Sequence, residues 1–426
     1  MAASILTNTS AMIALQNLRN TNQNLAEVNG QISTGKKVAS AKDNAAVFAI
    51  SSVMESDVAG FKAISESLSL GGSTVAVASN GAKQVGELLN EIKGKIVAAN
   101  EENIDRQKLQ DEVASLRSQI EGIVNAAQFN GLNLLSNTEK ADGSGRVDIL
   151  ASLDRASDGT VTARSISVSK QDLSTQQSAI GTTITAAASD DLTGTANGTS
   201  TALTGAATPP TQTVTVDAVS AGEGFTVQIT GGAGNLAGLN TGGTGDISYV
   251  ARDGDTVEDV ARGLAAAFNS YIEENAGADA STVAATVSGG TITFTGSSAT
   301  GDNFSINVGQ VGAAENTIGG GLEALATIDV STEAGADAAL EAIEGLIQTT
   351  INAQAAFGTT EKRVELQNDF MSSLVDSFKS GIGALVDADL EEASARLQAL
   401  QVQQQLGVQA LSIANQAPQN ILALFR

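Results

Sequence analysis

The run Leu397–Phe425, LQALQVQQQLGVQALSIANQAPQNILALF, holds no charged side chain, and it restricts the possible folds more sharply than any other motif. Its apolar and small residues follow helical spacing in two registers. Leu390, Ala393, Leu397, Leu400, Leu411, Ala414 and Ile421 form one; Ala399, Val402, Leu406, Ala410, Ile413 and Ala417 form the other. The two stripes lie about 140° apart on a helix turning about 100° per residue. A helix on a lone globule needs one apolar stripe and a charged back. Two stripes separated by Gln and Asn need neighbours on more than one side. A membrane span is excluded, because Gln398, Gln401, Gln403, Gln404, Gln405, Gln409, Asn415, Gln416, Gln419 and Asn420 are too many amides for the roughly 20 mostly apolar residues required. An ordinary buried core helix is the remaining rival on periodicity alone. Pro418 is expected to limit the helix near its end, since proline lacks a backbone donor and restricts its predecessor.

Composition narrows the function. With 47 acidic and 23 basic residues the net charge is −24, which argues against a nucleic-acid partner and keeps free subunits apart. There is no histidine and no cysteine. The first absence removes the commonest general base and metal ligand, the second any disulfide or thiolate chemistry. No enzyme site, cofactor or metal is expected. The prolines are only Pro209, Pro210 and Pro418, so both ends are free to run long helices. Met1–Leu18 lacks the basic and continuous apolar regions of a Sec signal peptide, so any export would use another route.

The N-terminus mirrors the C-terminus. No side chain is charged before Arg19, and Ala11, Leu15, Leu18, Leu25, Val28 and Ile32 fall near heptad spacing. A loop Ser33–Lys42 follows, and Ser40 with Asp43 reads as a capping box starting a helix near Ala41. Helical spacing then persists to Asn100, with a kink expected at Gly71-Gly72; about 60 helical residues would span about 90 Å, the length of a rod. Ile104–Ala127 is predicted to fold back as a second helix, ending at a turn on Asn130-Gly131. Short strands are expected at Val147–Leu150, Thr160–Ala163 and Ile166–Val168, with turns at Gly143–Gly145 and Asp158-Gly159. Residues 173–210 read as a linker or low-complexity surface.

Residues 211–310 read as an α+β unit. Thr213–Val219 and Phe225–Thr230 are expected to pair as a hairpin, and a helix to start with Asp255 as N-cap and Glu258 at N3. Val283–Val287 and Thr291–Thr295 form a second expected hairpin, and Phe304–Val308 a further strand. The acidic pairs Asp253/Asp255 and Glu273/Glu274 read as a cap and a solvated face. GAGNLAG, Gly232–Gly238, misses the G-x-G-x-x-G spacing and reads as a loop. Helices resume at about Ala334 and run past Phe378, with a break at Gly381 and Gly383, and Asp389 with Glu392 caps the terminal helix. The fold predicted is α+β: an elongated, multidomain rod with paired long N- and C-terminal helices of coiled-coil type and a central β-rich insertion. Its expected domains are 1–40 with 390–426, 41–172 with 325–389, and 173–324.

QISTGKKVASAKDNAAVFAISS (Gln31–Ser52), AAQFNGLNLL (Ala126–Leu135) and RLQALQVQQQLGVQALSIANQAPQNILALFR (Arg396–Arg426) resemble bacterial flagellin of an alphaproteobacterial form. The resemblance covers about residues 1–140 and 330–426. It implies a secreted structural subunit of the extracellular flagellar filament, serving motility, whose paired termini form an inner tube and whose centre faces outward. The polymerisation contacts implied fall on Leu15, Leu18, Leu25 and Ile32 beside Leu397, Leu400, Leu411 and Ile421. Ser33, Gly35, Lys36, Asp43 and Asn44 match the spoke between inner tube and rod. Implied partners are further copies of the chain, the flagellar cap and hook-junction proteins, an export chaperone and the flagellar type III apparatus; nucleic acid and membrane insertion are not implied. The related hook–filament junction protein is the alternative, and the ending ANQAPQNILALFR favours flagellin. A zinc-protease centre, carried by some flagellins, would need histidines that are absent here. Flagellins of gut bacteria are also ligands of an animal innate receptor. The recognised segment resembles Lys83–Asn90, where Leu88 matches but Gln84 replaces an arginine and Gln119 a glutamate. Poor receptor activation in a reporter-cell assay is therefore expected.

Overall fold

The computed structural model describes residues 8–156, 160–185, 201–276 and 282–424, without the side chains of 185, 201 and 417–424. The chain divides into two compact units: Met1–Glu66, Ser152–Thr162 and Asn368–Arg426 make unit 1, and Ser67–Ala151 with Ala163–Gln367 make unit 2. Four long helices supply much of both: α1 (Thr9–Thr34), α2 (Ala45–Ala99), α5 (Glu333–Val386) and α6 (Leu390–Leu424). A shorter α3 (Arg106–Ala126) and α4 (Val257–Asn275) lie between α2 and α5 in the chain.

In unit 1 the expected capping box is not a helix cap. Asp43 Oδ2 accepts from Ala39 N, Ser40 N and Ser40 Oγ at 2.9–3.1 Å, which closes the loop and holds its carboxyl below the usual range through the Ser40 bonds. Asn44 is the cap: its Oδ1 accepts from Ala46 N and Val47 N, so α2 starts at Ala45. Beyond the loop, Val38, Val58, Val375, Ile382 and Val386 are buried together, and Phe61 meets Phe378 edge to face at 5.3 Å. The break expected at Gly381 and Gly383 is absent, since α5 runs on to Val386. Pro418 does not end α6 either; the helix continues to Leu424.

In unit 2, α2 buries Val75, Ala78, Ala82, Val85, Leu89, Ile92, Ile96 and Ala99, an alternation of three and four that marks a coiled-coil seam. Lys95 pairs with Glu112 of α3 at 2.6 Å and Lys93 with Glu344 of α5, so α2 touches both helices. Asp105 caps α3 through a bond from Lys108 N, so the helix starts at Arg106 rather than at Ile104. The Asn130-Gly131 turn forms as expected, with φ of 51° and 81°, joining β1 (Gln128–Phe129) to β2 (Leu132–Asn133). The pair β3 (Arg146–Arg155) and β4 (Val161–Ser169) is longer than expected; the turn at Asp158-Gly159 lies outside the described residues.

Gly71-Gly72 does not kink α2, which passes through it. Close packing explains Gly71: a Cβ there would lie 2.5 Å from Ile149 Cδ1 and 2.6 Å from its Cγ2. Both branches of the isoleucine are in the way, so neither rotation relieves the clash. Gly71→Ala is expected to lower stability by about 1–3 kcal/mol despite the better helix former. Gly94→Ala in the same helix, where a Cβ meets nothing within 4 Å, should raise it by up to about 1 kcal/mol. Chemical denaturation of the two variants checks the opposite signs.

The insertion holds two sheets over α4. One has the order β10 (Ala284–Ser288), β11 (Thr291–Thr295), β7 (Thr211–Thr215). In the other, β12 (Asn303–Val311) is central and pairs with β5 (Ile184–Thr185), β6 (Thr201–Thr204) and β8 (Gly224–Ala233), with β9 (Ser248–Val250) beyond β8. Two expectations are therefore corrected. The Thr213–Val219 and Phe225–Thr230 segments do not pair, because β7 joins β11 while β8, buried from Gly224 to Val227 and again at Ile229, lies between β12 and β9. The supposed linker 173–210 supplies β5 and β6, with 186–200 outside the described residues. Phe225, Val227, Leu264, Phe268, Ile292 and Phe304 are fully or almost fully buried in a common core, where Phe268 and Phe294 meet at 4.8 Å. Asn269 of α4 occupies the free edge of β10 by bonding both Ala285 N and Ala285 O, which blocks edge-to-edge pairing there. The capping box of α4 lies one residue later than expected, on Thr256 and Asp259. Asp255 instead accepts from Tyr249 Oη and Arg252 N; burial raises its pKa against the pull of those bonds.

Candidate polymerisation site

The uncharged ends meet inside unit 1 as an antiparallel pair. Asn8 Nδ2 of α1 donates to Ala414 O at 2.7 Å, and Gln404 Nε2 of α6 donates to Asn22 Oδ1 at 2.7 Å. At the other end Ala388 N donates to Gly35 O, Lys37 N to Val386 O, and Lys36 bridges to Asp387. The inward positions are Ala11, Ala14, Leu18, Thr21, Leu25, Val28 and Ile32 on α1, and Ala393, Leu397, Leu400, Gln404, Gly407, Leu411 and Ala414 on α6. Both series alternate three and four residues, the spacing that keeps a seam facing one partner. Val28, Ala393 and Leu400 are buried, with Leu25, Ile32 and Leu397 packed against them. Gly407 leaves room for Leu18, whose Cδ1 would stand 3.2 Å from a Cβ there.

One stripe of α6 is thus used within the chain and the other is not. Val402, Leu406, Val408 and Ile413 are 55%, 58%, 54% and 69% exposed, and on α1 Met12 and Ile13 are 64% and 60% exposed. Leu15 belongs with these: it sits off the seam, 37% exposed, and Ala14 takes the inward position. Leu18, Leu25, Ile32, Leu397, Leu400 and Leu411 all lie on the seam, while Ile421 lies among the side chains outside the description. Met12, Ile13 and Val408 escape a search for stripes because they fall between them; their signal is an apolar residue without charge on either side.

The spoke residues cluster at the base of the pair. Gly35, at φ 71°, ends α1 in the left-handed conformation that glycine adopts without strain, and Lys36 Nζ reaches Glu55 at 3.2 Å. Ser33 is exposed at the end of α1, and Asp43 and Asn44 close the loop and cap α2. In unit 2, Gln84 and Gln119 are exposed on α2 and α3 and Leu88 is half-buried. Among the described residues no cluster of acidic, histidine or cysteine side chains is arranged for a metal, and no helix is long and apolar enough to cross a membrane.

Comparison with known proteins matches residues 5–140 to the bacterial flagellin N-terminal helical region and 340–425 to the bacterial flagellin C-terminal helical region. Flagellin A of Rhizobium meliloti is 33% identical over 99% of this chain and 100% of its own length. Flagellin FljK of Caulobacter vibrioides is 29% identical over 99% of this chain and 98% of its own. Among solved structures, flagellar hook associated protein-3 from Legionella pneumophila overlays with a TM-score of 0.34 at 13% identity, covering 78% of this chain and 98% of that one. So loose an overlay carries no weight beside the sequence matches. Relatives aligned end to end, with both terminal regions matched at the helices that pair in unit 1, establish that the chain belongs to the bacterial flagellins, the structural subunits of the flagellar filament.

Proposed function

We propose that this flagellin polymerises by burying the outer faces of the α1–α6 pair against other copies of itself. The observation that carries the reading is the exposure of Met12, Ile13, Leu15, Val402, Leu406, Val408 and Ile413 on two helices nearly free of charge. Burying such a side chain gives about 1.5–3 kcal/mol, so several of them together drive association between copies. The seam residues Leu18, Leu25, Ile32, Leu397, Leu400 and Leu411 act by holding that face together. The spoke residues tie the pair to α2 and α5. In a free subunit the seam holds the pair together, and its outer face stays uncovered until another copy docks.

Family membership supports the further reading that the chain is exported through the flagellar type III apparatus with a chaperone on its C-terminal segment and meets cap and hook-junction proteins. Electron microscopy of seeded full-length protein beside a 45–389 fragment tests the reading: long tubes are expected only from the full chain. Tubes from the fragment would overturn it.

The insertion is dispensable for this role, and the sheet decides where it can be cut. Removing 211–310 would take away β12 and leave β5 and β6 unpaired. Removing 184–311 cuts where the chain already closes, with Ala179 bridged to Thr317 and Gly181 N on Asn316 Oδ1 at 2.9 Å. The 184–311 deletion is expected to form filaments, and the shorter one to aggregate, as light scattering and microscopy would report.

A further inference from the structure

Oxidisable side chains are scarce in this chain and unevenly placed. It contains no cysteine, histidine or tryptophan, and both tyrosines, Tyr249 and Tyr271, belong to the insertion. The thioethers of Met1, Met12, Met54 and Met371 are therefore the groups that a peroxide attacks first. Met1 lies outside the described residues. Met371 is buried, and Met54 is half-buried against the core of Val38, Val58, Val375, Ile382 and Val386. Met12 differs from both. It stands exposed beside Ile13 on the outer face of α1, in a stretch with no charged side chain before Arg19. Among the described residues it is the one sulfur open to solvent, and it lies on the face assigned above to contact between copies.

Oxidation changes what that face can do. The Met12 sulfur attacks one oxygen of hydrogen peroxide; an S–O bond forms as the O–O bond breaks. Sulfur gives up two electrons, and the second oxygen leaves as water after a proton shift. A flexible apolar side chain thereby becomes a polar sulfoxide with a strong hydrogen-bond acceptor. In the free subunit water solvates that oxygen. Between copies it is buried beside Ile13, and a buried acceptor without a donor is costly. Coverage by a second copy also takes the unmodified thioether out of reach of peroxide. We infer that Met12 is an oxidation site that gates assembly: peroxide marks the free subunit, the sulfoxide keeps it out of the filament, and reduction readmits it. The inference rests on the reading that another copy covers the outer face of α1.

The test treats full-length subunits and finished filaments with hydrogen peroxide, and peptide mass spectrometry locates the added oxygen. Met12 is expected to be modified faster than Met54 and Met371 in the subunit, and far more slowly in the filament. Sedimentation of seeded reactions then gives the concentration needed for growth, each protein compared with its own untreated sample. Peroxide should raise that concentration about tenfold for the parent, the effect of one unpaired buried acceptor. It should leave the value for Met12→Leu where it stood. Dithiothreitol with the two stereospecific sulfoxide reductases should restore the parent, the oxygen leaving as water while two thiols become a disulfide. Growth of the parent unchanged by oxidation of Met12 overturns the inference, as does an equal loss in Met12→Leu. Equally fast modification of Met12 in subunit and filament also overturns it. Ile413→Asp separates the two readings: if it stops growth while oxidised parent grows normally, only the oxidation gate falls; if it grows normally, the interface reading itself falls.

Discussion

Ile413→Asp is expected to stop filament growth while leaving the subunit folded. Ile413 is 69% exposed on α6, so in the free chain the substitution touches little and should change stability by no more than about 0.5 kcal/mol. In the polymer proposed above the same position is covered by another copy, and a carboxylate there is buried without a partner. That costs about 3 kcal/mol or more, which raises the concentration needed for growth by about a hundredfold or more. Sedimentation of seeded reactions measures it directly. Normal-length filaments at the parent's concentration would show that this face of α6 is not an interface between copies.

Leu400→Asp should fail differently. Leu400 is 7% exposed, buried with Val28 and Ala393, so its carboxylate is stranded inside the chain rather than between chains. The expected loss is about 3–5 kcal/mol, enough to separate α1 from α6. Circular dichroism of the free subunit should therefore show less helix for Leu400→Asp than for the parent, and unchanged helix for Ile413→Asp. Assembly should be lost in both. Equal helix in the two variants would mean that the seam is not what holds the pair together in the free subunit.

The two-stripe pattern of α6 was legible because an uncharged helix has few ways to satisfy both faces. Which stripe the chain uses itself was not legible. Periodicity is a property of one helix, whereas the choice between Leu400 and Val402 depends on where α1 lies. The same limit explains Leu15, which fits a heptad drawn from large residues. The partner helix takes the smaller Ala14 on the seam and leaves Leu15 off it.

What the sequence determined by itself was local chemistry. Heptad spacing, the lack of charge at both ends, the Asn130-Gly131 turn and the Asp389 cap, which accepts from Glu391 N and Glu392 N, each follow from residues close along the chain. Family membership followed from the same terminal segments. The tertiary structure decided everything that depended on a partner at long separation. It carried α2 through Gly71 because Ile149 needs the space, and it put β7 and β8 in different sheets. It also drew β5 and β6 out of an apparent linker. Alternation and turns announce a strand, but hydrogen-bond pairing is set by which edges remain free once the core has closed.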